Sequence, residues 1–211
     1  MKQTPYFFLL PSILILTFTS LYPICYSIYY SFFDWRWGDE KNFIGLGNYL
    51  TLLTDKEFWI VIKNTFVFAF FACFFEIVIG VFLAIYIDRI KVGSTIIRTI
   101  LLIPLMISGI SVTMLFKVML DNMFGIIPYF LSFVGIKSNF FGSYTAAMPT
   151  VIGLDVWWQT SFVFIIILAG LKSIPNEPIE AAKMDGASEW EVTRYIRLPM
   201  IRSLLLLVLI F

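Results

Sequence analysis

Long apolar runs alternate with short polar stretches along this chain of 211 residues. A membrane-spanning helix needs about 20 mainly apolar residues, and four runs meet that requirement, at residues 6–33, 61–87, 97–120 and 146–171. A fifth run begins near Met200, and when the sequence ends at Phe211 this run is still too short to span a membrane. The pattern therefore predicts an all-α, polytopic transmembrane helical bundle with about five spans. We expect six spans in the full chain, with this one truncated at its C-terminus.

Three segments depart from simple spans. Pro104 and Gly109 interrupt the backbone hydrogen-bond ladder of the third run, which predicts a kinked helix. Residues 121–143 hold apolar stretches too short to span, so we expect a short external or re-entrant element there. Apolar and polar residues alternate at helical spacing over residues 48–63, which predicts an amphipathic helix along the outer interface of the membrane.

Composition agrees with a membrane location and excludes several classes of function. The chain is 60% hydrophobic and 14% charged, whereas a soluble domain is roughly 45–50% apolar. It has no histidine, which removes imidazole metal ligands and Ser-His triads. The net charge of +1 includes no basic run that would indicate nucleic-acid binding. We therefore expect no catalytic residue, no metal site, no cofactor and no nucleic-acid partner.

The positions of Lys and Arg predict the orientation, because these residues are enriched in cytoplasmic loops. With the N-terminus inside, most of the fifteen fall in cytoplasmic segments: Lys2, Arg89, Lys91, Arg98, Lys172, Lys183, Arg194, Arg197 and Arg202. We therefore expect a multi-pass protein of the cell membrane whose N-terminus is cytoplasmic.

A polar stretch at residues 172–202 separates the fourth and fifth runs, and this orientation places it in the cytoplasm. It predicts two short helices joined by a turn. Asn176 can cap the first helix, Pro178 fits its first turn, and Gly186 can supply a left-handed residue at its end.

The second helix of this stretch has both ends specified by sequence. Ser188 and Glu191 match a capping box, and we expect the helix to end by Leu198 because Pro199 follows. Helices this short are marginal alone in water, so they must pack on the protein body or on a partner. Physics alone leaves an ordinary loop and a docking surface equally open.

The residue pattern favours docking. The stretch resembles the EAA loop of permease subunits of ATP-binding-cassette importers, and the matching residues are Glu180, Ala181, Ala182, Asp185, Gly186, Ala187, Leu198 and Pro199. Residues 43–49 and 168–171 and Pro104 extend the resemblance over nearly the whole chain, to carbohydrate permeases of the maltose and glycerol-phosphate type. Ser161 departs from a common glycine, which leaves the substrate open.

The resemblance implies a function and a set of partners. In that family the loop is a coupling helix that inserts into a cleft of the ATPase, which implies an ATPase-coupling role for the eight residues just named. The implied partners are cytoplasmic ATPase subunits, a second, identical or different permease subunit, an extracytoplasmic solute-binding protein and membrane lipid. A sugar or sugar derivative is the implied solute, in a prokaryotic inner or plasma membrane. Residues 1–211 would form a single permease domain that contains the 172–202 loop.

Polar side chains within the runs are candidates for the substrate pathway. Glu76 lies near the middle of the second run, where a charged residue costs roughly 2.5–3.5 kcal/mol, so it must face the bundle interior. Its alternatives are a helix-to-helix hydrogen bond and a place in the pathway. Asp155, Trp157 and Gln159 in the fourth run combine aromatic faces with acceptors that suit a sugar. Interfacial anchoring is the alternative for them.

Two other classes of function stay open at this point. The sequence has no G-x-x-x-x-G-K-[ST] phosphate loop, so the chain is not expected to hydrolyse ATP itself. A multi-span membrane enzyme that uses Glu76 with Asp155 is one alternative. A membrane scaffold whose loop recruits a soluble protein is the other.

Overall fold

The computed structural model describes residues 4–36, 40–90, 92–136 and 139–211. Two of the residues that predict the orientation, Lys2 and Lys91, therefore lie outside the described residues. The described part is mostly helical and divides into two compact units, Met1–Thr65 and Phe66–Phe211.

The first unit contains α1 (Thr4–Tyr30), a two-stranded antiparallel ribbon, α2 (Gly47–Thr54) and the start of α3 (Lys56–Arg89). The ribbon pairs β1 (Phe33–Asp34) with β2 (Asn42–Phe43). The Asn48 side chain donates hydrogen bonds to the carbonyls of Ser31 and Phe33, at 2.9 and 3.0 Å, and so fixes the start of α2 to the end of α1.

The single amphipathic helix predicted over residues 48–63 is wrong. Helix α2 ends at Thr54, and Asp55 adopts an extended conformation before α3 begins. The Asp55 carboxylate accepts a hydrogen bond from the Glu57 N–H at 2.9 Å. An aspartate at this position competes with the helical backbone for its donors, which starts a new helix instead of continuing the old one.

The second unit contains the rest of α3 and eight further helices in the described residues: α4 (Ser94–Leu102), α5 (Gly109–Met119), α6 (Ile126–Phe133), α7 (Tyr144–Lys172), α8 (Asn176–Met184), α9 (Glu189–Val192), α10 (Leu198–Met200) and α11 (Arg202–Ile210). Its core joins α3, α7 and α11 through buried residues that include Ala84, Phe164, Ile167 and Val208. Small residues permit the close contacts, since a Cβ at Gly80 would lie 2.6 Å from Val163.

Three helices among the described residues are long and apolar enough to cross a membrane, and they are Phe8–Tyr30, Lys56–Arg89 and Thr145–Lys172. The third predicted span is broken. Helix α4 continues into a tight turn, Pro104–Met106, and this arm meets α5 at 92° across the extended residues Ile107 and Ser108. The two arms make a fourth span only if the bent pair counts as one. Helix α11 has nine residues and does not reach spanning length.

The break follows from Pro104 and from side chains of α7. Proline lacks the N–H that would continue the ladder, and the chain resumes as α5 only after Ser108, whose side chain caps it. The orphan carbonyl of Leu101 accepts a hydrogen bond from the Ser161 hydroxyl at 2.6 Å, and that of Ile107 accepts one from the Trp158 ring at 3.1 Å. The predicted kink is thus a complete change of direction.

Candidate functional site

Helix α8 presents the predicted coupling residues on an exposed turn. Glu180, Ala181, Asp185 and Gly186 are exposed. Gly186 has a φ of +85°, as predicted. Around it the Gly186 N–H donates to the Lys183 carbonyl at 3.1 Å and the Ala187 N–H to the Ala182 carbonyl at 2.9 Å. These two bonds form a Schellman motif, which ends α8 in a sharp, defined corner.

The beginning of α8 differs from the prediction that Asn176 is the cap. Pro175 is the capping residue, with ψ of 147°, and Asn176 is already the first helical residue. The ring of Pro175 fixes φ near the value that an entering residue needs, so no side-chain acceptor is used here. Pro178 lies in the first turn, as predicted.

Helix α9 begins with the predicted capping box. The Ser188 hydroxyl accepts a hydrogen bond from the Glu191 N–H at 3.3 Å, and the Glu191 carboxylate accepts one from the Ser188 N–H at 2.8 Å. The hydrogen bonds from the Ser188 hydroxyl and N–H lower the pKa of Glu191. The cap therefore fixes the direction in which the chain leaves the Gly186 corner.

The predicted end of the second helix before Pro199 is wrong. After α9 the chain makes a π turn over Thr193–Arg197 and continues as α10 through Leu198 and Pro199. The Leu198 N–H donates to the Thr193 carbonyl, five residues back. Pro199 has no N–H to donate to the preceding turn. The wider π turn changes the hydrogen-bond pattern before Pro199, so the helix continues through it.

Apolar side chains flank the coupling residues on the outside. Met184 is 88% exposed and Trp190 is 66% exposed. Of the two alternatives for this helix, the protein body or a partner, Trp190 thus does not pack on the protein body. Val192 is fully buried on the protein itself. Large exposed apolar side chains next to a rigid turn are typical of an interaction surface.

An ion cluster that sequence reasoning missed lies behind this surface. It consists of Asp88 and Arg89 at the end of α3, Lys183 on α8, Glu189 on α9 and Arg197 in the π turn, and we call it the loop ion cluster.

Glu189 is the centre of the cluster. Its carboxylate pairs with Lys183 and lies 3.8 Å from Arg89 and 4.0 Å from Arg197. The hydrogen bond from Lys183, followed by the charges of Arg197 and Arg89, lowers the pKa of Glu189. Arg89 also donates to the Thr193 hydroxyl at 3.1 Å. Glu189 therefore stays ionised at neutral pH.

Three of the four predicted pathway residues lie together. Glu76, Asp155 and Gln159 line a cavity of about 400 Å³ between α3, α7 and α11, which we call the Glu76 cavity. Glu76 Oε1 is buried and accepts no hydrogen bond from the described part of the chain. Trp157 does not line this cavity, and its ring packs edge-on against Phe116 with centroids 5.2 Å apart.

A second cavity of about 590 Å³ adjoins the first, and we call it the Lys117 cavity. Phe68 and Asp155 line both, and Thr113, Lys117 and Trp158 add polar and aromatic groups to the second. No residue pattern predicts this cavity, because it depends on the 92° bend between α4 and α5, the helix that carries Lys117. Carboxylate, amide, hydroxyl and ammonium groups here suit a polyhydroxylated solute.

Comparison with known proteins identifies the relatives of this chain. A family model described as binding-protein-dependent transport system inner membrane component matches residues 76–211. A probable ABC transporter permease of Sinorhizobium fredii is 34% identical over 200 residues, which cover 93% of this chain and 65% of the relative. The trehalose/maltose transport system permease of Thermococcus litoralis is 34% identical over 172 residues, which cover 81% of this chain and 58% of the relative. The chain thus spans less than two thirds of either relative.

A solved structure has the same fold. A chain of a bacterial alginate ABC transporter, crystallised in complex with an alginate pentasaccharide-bound periplasmic protein, superposes with a TM-score of 0.85 at 25% identity. The match covers 98% of this chain and 70% of that one. Together with the spanning helices, these matches make the chain a prokaryotic membrane protein.

Proposed function

The chain belongs to the family of binding-protein-dependent transport system inner membrane components, and we propose that it is a permease subunit of an ATP-binding-cassette importer that carries a sugar or sugar derivative. Relatives named for trehalose, maltose and alginate transport support this class of solute. The family is one of transport components, which favours a permease over a membrane enzyme or a scaffold.

The proposed membrane arrangement follows the charge distribution. The N-terminus is cytoplasmic, α1, α3, the bent pair α4 and α5, and α7 cross the membrane, and α11 belongs to a fifth span. Residues 172–202 then lie in the cytoplasm as the coupling loop of a single permease domain. The family supports partners of three kinds: ATPase subunits, a second permease subunit, identical or different, and an extracytoplasmic solute-binding protein, all in contact with a lipid membrane.

The observation that carries this proposal is the exposed corner at Gly186. The Schellman motif holds Glu180, Ala181 and Asp185 outward on a turn with little freedom. The small side chains of Ala181 and Ala182 allow a partner helix to approach closely, and Glu180 offers a carboxylate to a basic group. Leu198 and Pro199 end the loop at the return to the membrane. Such a rigid, small-residue corner fits insertion into a cleft of the ATPase.

The test compares two loop variants with two matched controls. Glu180→Lys and Gly186→Val should each reduce ATPase binding and solute uptake by about tenfold or more, with normal insertion in the membrane. Glu57→Lys reverses an exposed charge in the first unit, and Gly135→Val places a side chain at another glycine of positive φ, +77°. Both controls should transport normally.

A reconstituted complex separates transport from the other classes. The permease with its ATPase in vesicles should hydrolyse ATP faster when the loaded solute-binding protein is present. Wild-type uptake by both loop variants would contradict the proposed function. So would a rate of ATP hydrolysis that is the same with and without the loaded solute-binding protein.

A further inference from the structure

The loop ion cluster joins α8, α9 and the π turn of the loop to the end of α3. We propose that Arg197 is a positioning residue that ties the loop to the end of α3, so that a movement of the loop becomes a movement of α3. This inference rests on the proposed function, because it concerns how the loop acts once the ATPase engages it.

Arg197 is the buried member of the cluster. Its side chain is 11% exposed and lies between Asp88, at 3.9 Å, and Glu189, at 4.0 Å. A buried charge is stable only when it is paired, and removal of one partner leaves the other uncompensated. The two carboxylates belong to different segments, Asp88 to α3 and Glu189 to the loop. Arg197 therefore links α3 to the loop, and separation of either carboxylate from Arg197 would be energetically unfavourable.

The other contacts of the cluster converge on the same place. Lys183 brings the end of α8 to Glu189, and Arg89 brings α3 to Glu189 and to Thr193, which is 1% exposed. Apolar packing continues the connection, because Ile87 of α3 lies in one core with Leu171 and Ile201 on either side of the loop. The loop is thus held on α3 by both ion pairs and buried surface.

The outer face of the loop differs from this inner face. Met184 and Trp190 point away from the protein, whereas Thr193 and Arg197 are buried against α3. A force that acts on the outer face therefore passes through the cluster to α3. Helix α3 also supplies Glu76 and Phe68 to the two cavities. The path from the loop to the solute cavities consequently runs along a single helix.

The distances from Arg197 to its partners indicate which substitutions of Arg197 preserve the link between the loop and α3. Both contacts of Arg197 are close to 4 Å, longer than the roughly 2.7–2.9 Å of a charge-assisted hydrogen bond, and Nη1 is buried without a hydrogen bond to the described residues. Charge rather than bidentate geometry holds the pair. Arg197→Lys should therefore preserve coupling, and Arg197→Gln should not.

The first experiment measures solute molecules imported per ATP hydrolysed by the reconstituted complex. We expect Arg197→Gln and Asp88→Asn each to lower this ratio by about fivefold or more, with the double variant no worse than either single one. Arg197→Lys should remain near wild type. Arg194→Gln, at an exposed position of the same π turn, is the matched control and should leave the ratio unchanged.

The outcomes separate the inference from the proposed function. Should the wild-type complex show no solute-stimulated hydrolysis, the proposed function itself fails. Should wild type couple normally while Arg197→Gln binds the ATPase and keeps the wild-type ratio, only the inference fails. Additive losses in the double variant would also overturn it.

A second measurement leaves the cluster intact, so it does not depend on the folding of a charge variant. Spin labels at positions 195 and 86, introduced as Tyr195→Cys and Tyr86→Cys in a chain with Cys25→Ala and Cys73→Ala, report the distance from the loop to the end of α3. Both labelled positions are exposed. When ATP binds to the complex this distance should change by no more than about 2 Å. A change of about 5 Å or more, one helical turn, would show that the loop moves without α3.

Discussion

Single side chains of α7 repair the broken third span. Without these side chains, no described residue would donate to the carbonyls of Leu101 and Ile107, and an unsatisfied backbone group in an apolar environment is costly. Ser161 and Trp158 supply those donors from about one turn apart on α7. The serine at 161, which the sequence presents as a departure from its family, thus has a specific backbone partner in this chain.

The Ser161→Ala variant tests this repair. It leaves the buried Leu101 carbonyl without its donor, so we expect a loss of about 1 kcal/mol in the free energy of unfolding and a lower thermal midpoint in detergent. Ser203→Ala, at an exposed position on α11, serves as the control. An unchanged midpoint for Ser161→Ala would mean that the Leu101 carbonyl has another donor.

At the scale of elements, the proposed coupling loop combines locally encoded ends with long-range attachments. The Gly186 corner and the Ser188 capping box each lie within six residues of sequence, so the sequence predicted both. The cluster pairs Arg89 with Glu189 and Asp88 with Arg197, about a hundred positions apart. No local pattern contains such pairs, and they became visible only when α3 and the loop were brought together.

Other errors at this scale have local causes. Asp55 starts a new helix within residues 48–63, and a wider turn carries the chain through Pro199. Both depend on which of two allowed hydrogen-bond patterns the backbone adopts, and residue type alone does not decide that. Three of the predicted apolar runs, by contrast, do form long helices, because burial in lipid requires such helices whatever their neighbours.

The attachment of the loop should depend on pH in a defined direction. Because its partners lower the pKa of Glu189 below the ordinary 4.5, its ion pairs contribute stability above that value and lose it as the pH falls through the lower pKa of the folded protein. Hydrogen exchange of residues 189–197 should therefore be constant from about pH 8 to 5, after correction for intrinsic rates, and accelerate further below.

The Glu189→Gln variant is the control for this dependence. Residues 189–197 of this variant should exchange faster at neutral pH, and their exchange should accelerate less at acid pH. The acceleration that remains would come from other carboxylates such as Glu191. Identical profiles in the variant and in wild type would remove Glu189 from the attachment.

At the scale of the second unit, two cavities adjoin where Phe68 and Asp155 line both. Asp155 is thus the polar group common to both, and Gln159 and Glu76 extend the polar surface on one side. The residues of the pathway could be proposed from sequence because polar groups in apolar runs are conspicuous. The Lys117 cavity could not, because it depends on the angle between α4 and α5.

Uptake measurements test this pathway. Asp155→Asn and Gln159→Ala should reduce solute uptake by about tenfold, the effect of losing one hydrogen bond to a polar solute, while ATPase binding is unchanged. Trp157→Leu is the comparison, because Trp157 lies outside the Glu76 cavity and should retain most uptake. Normal transport by the first two variants would leave Asp155 and Gln159 with a packing role only.

The π turn at Thr193–Arg197 amounts to one residue inserted into an α-helix. Each residue of an α-helix turns the chain by about 100°, so this one extra residue sets the rotational register between the cluster and α11. Deletion of Ile196 from the turn would rotate Arg197, Leu198 and all that follows relative to Glu189, without removing a charged side chain. The length of this short segment is therefore as specific a requirement as the identity of its residues, and a chain with the deletion should insert in the membrane yet lose its coupling.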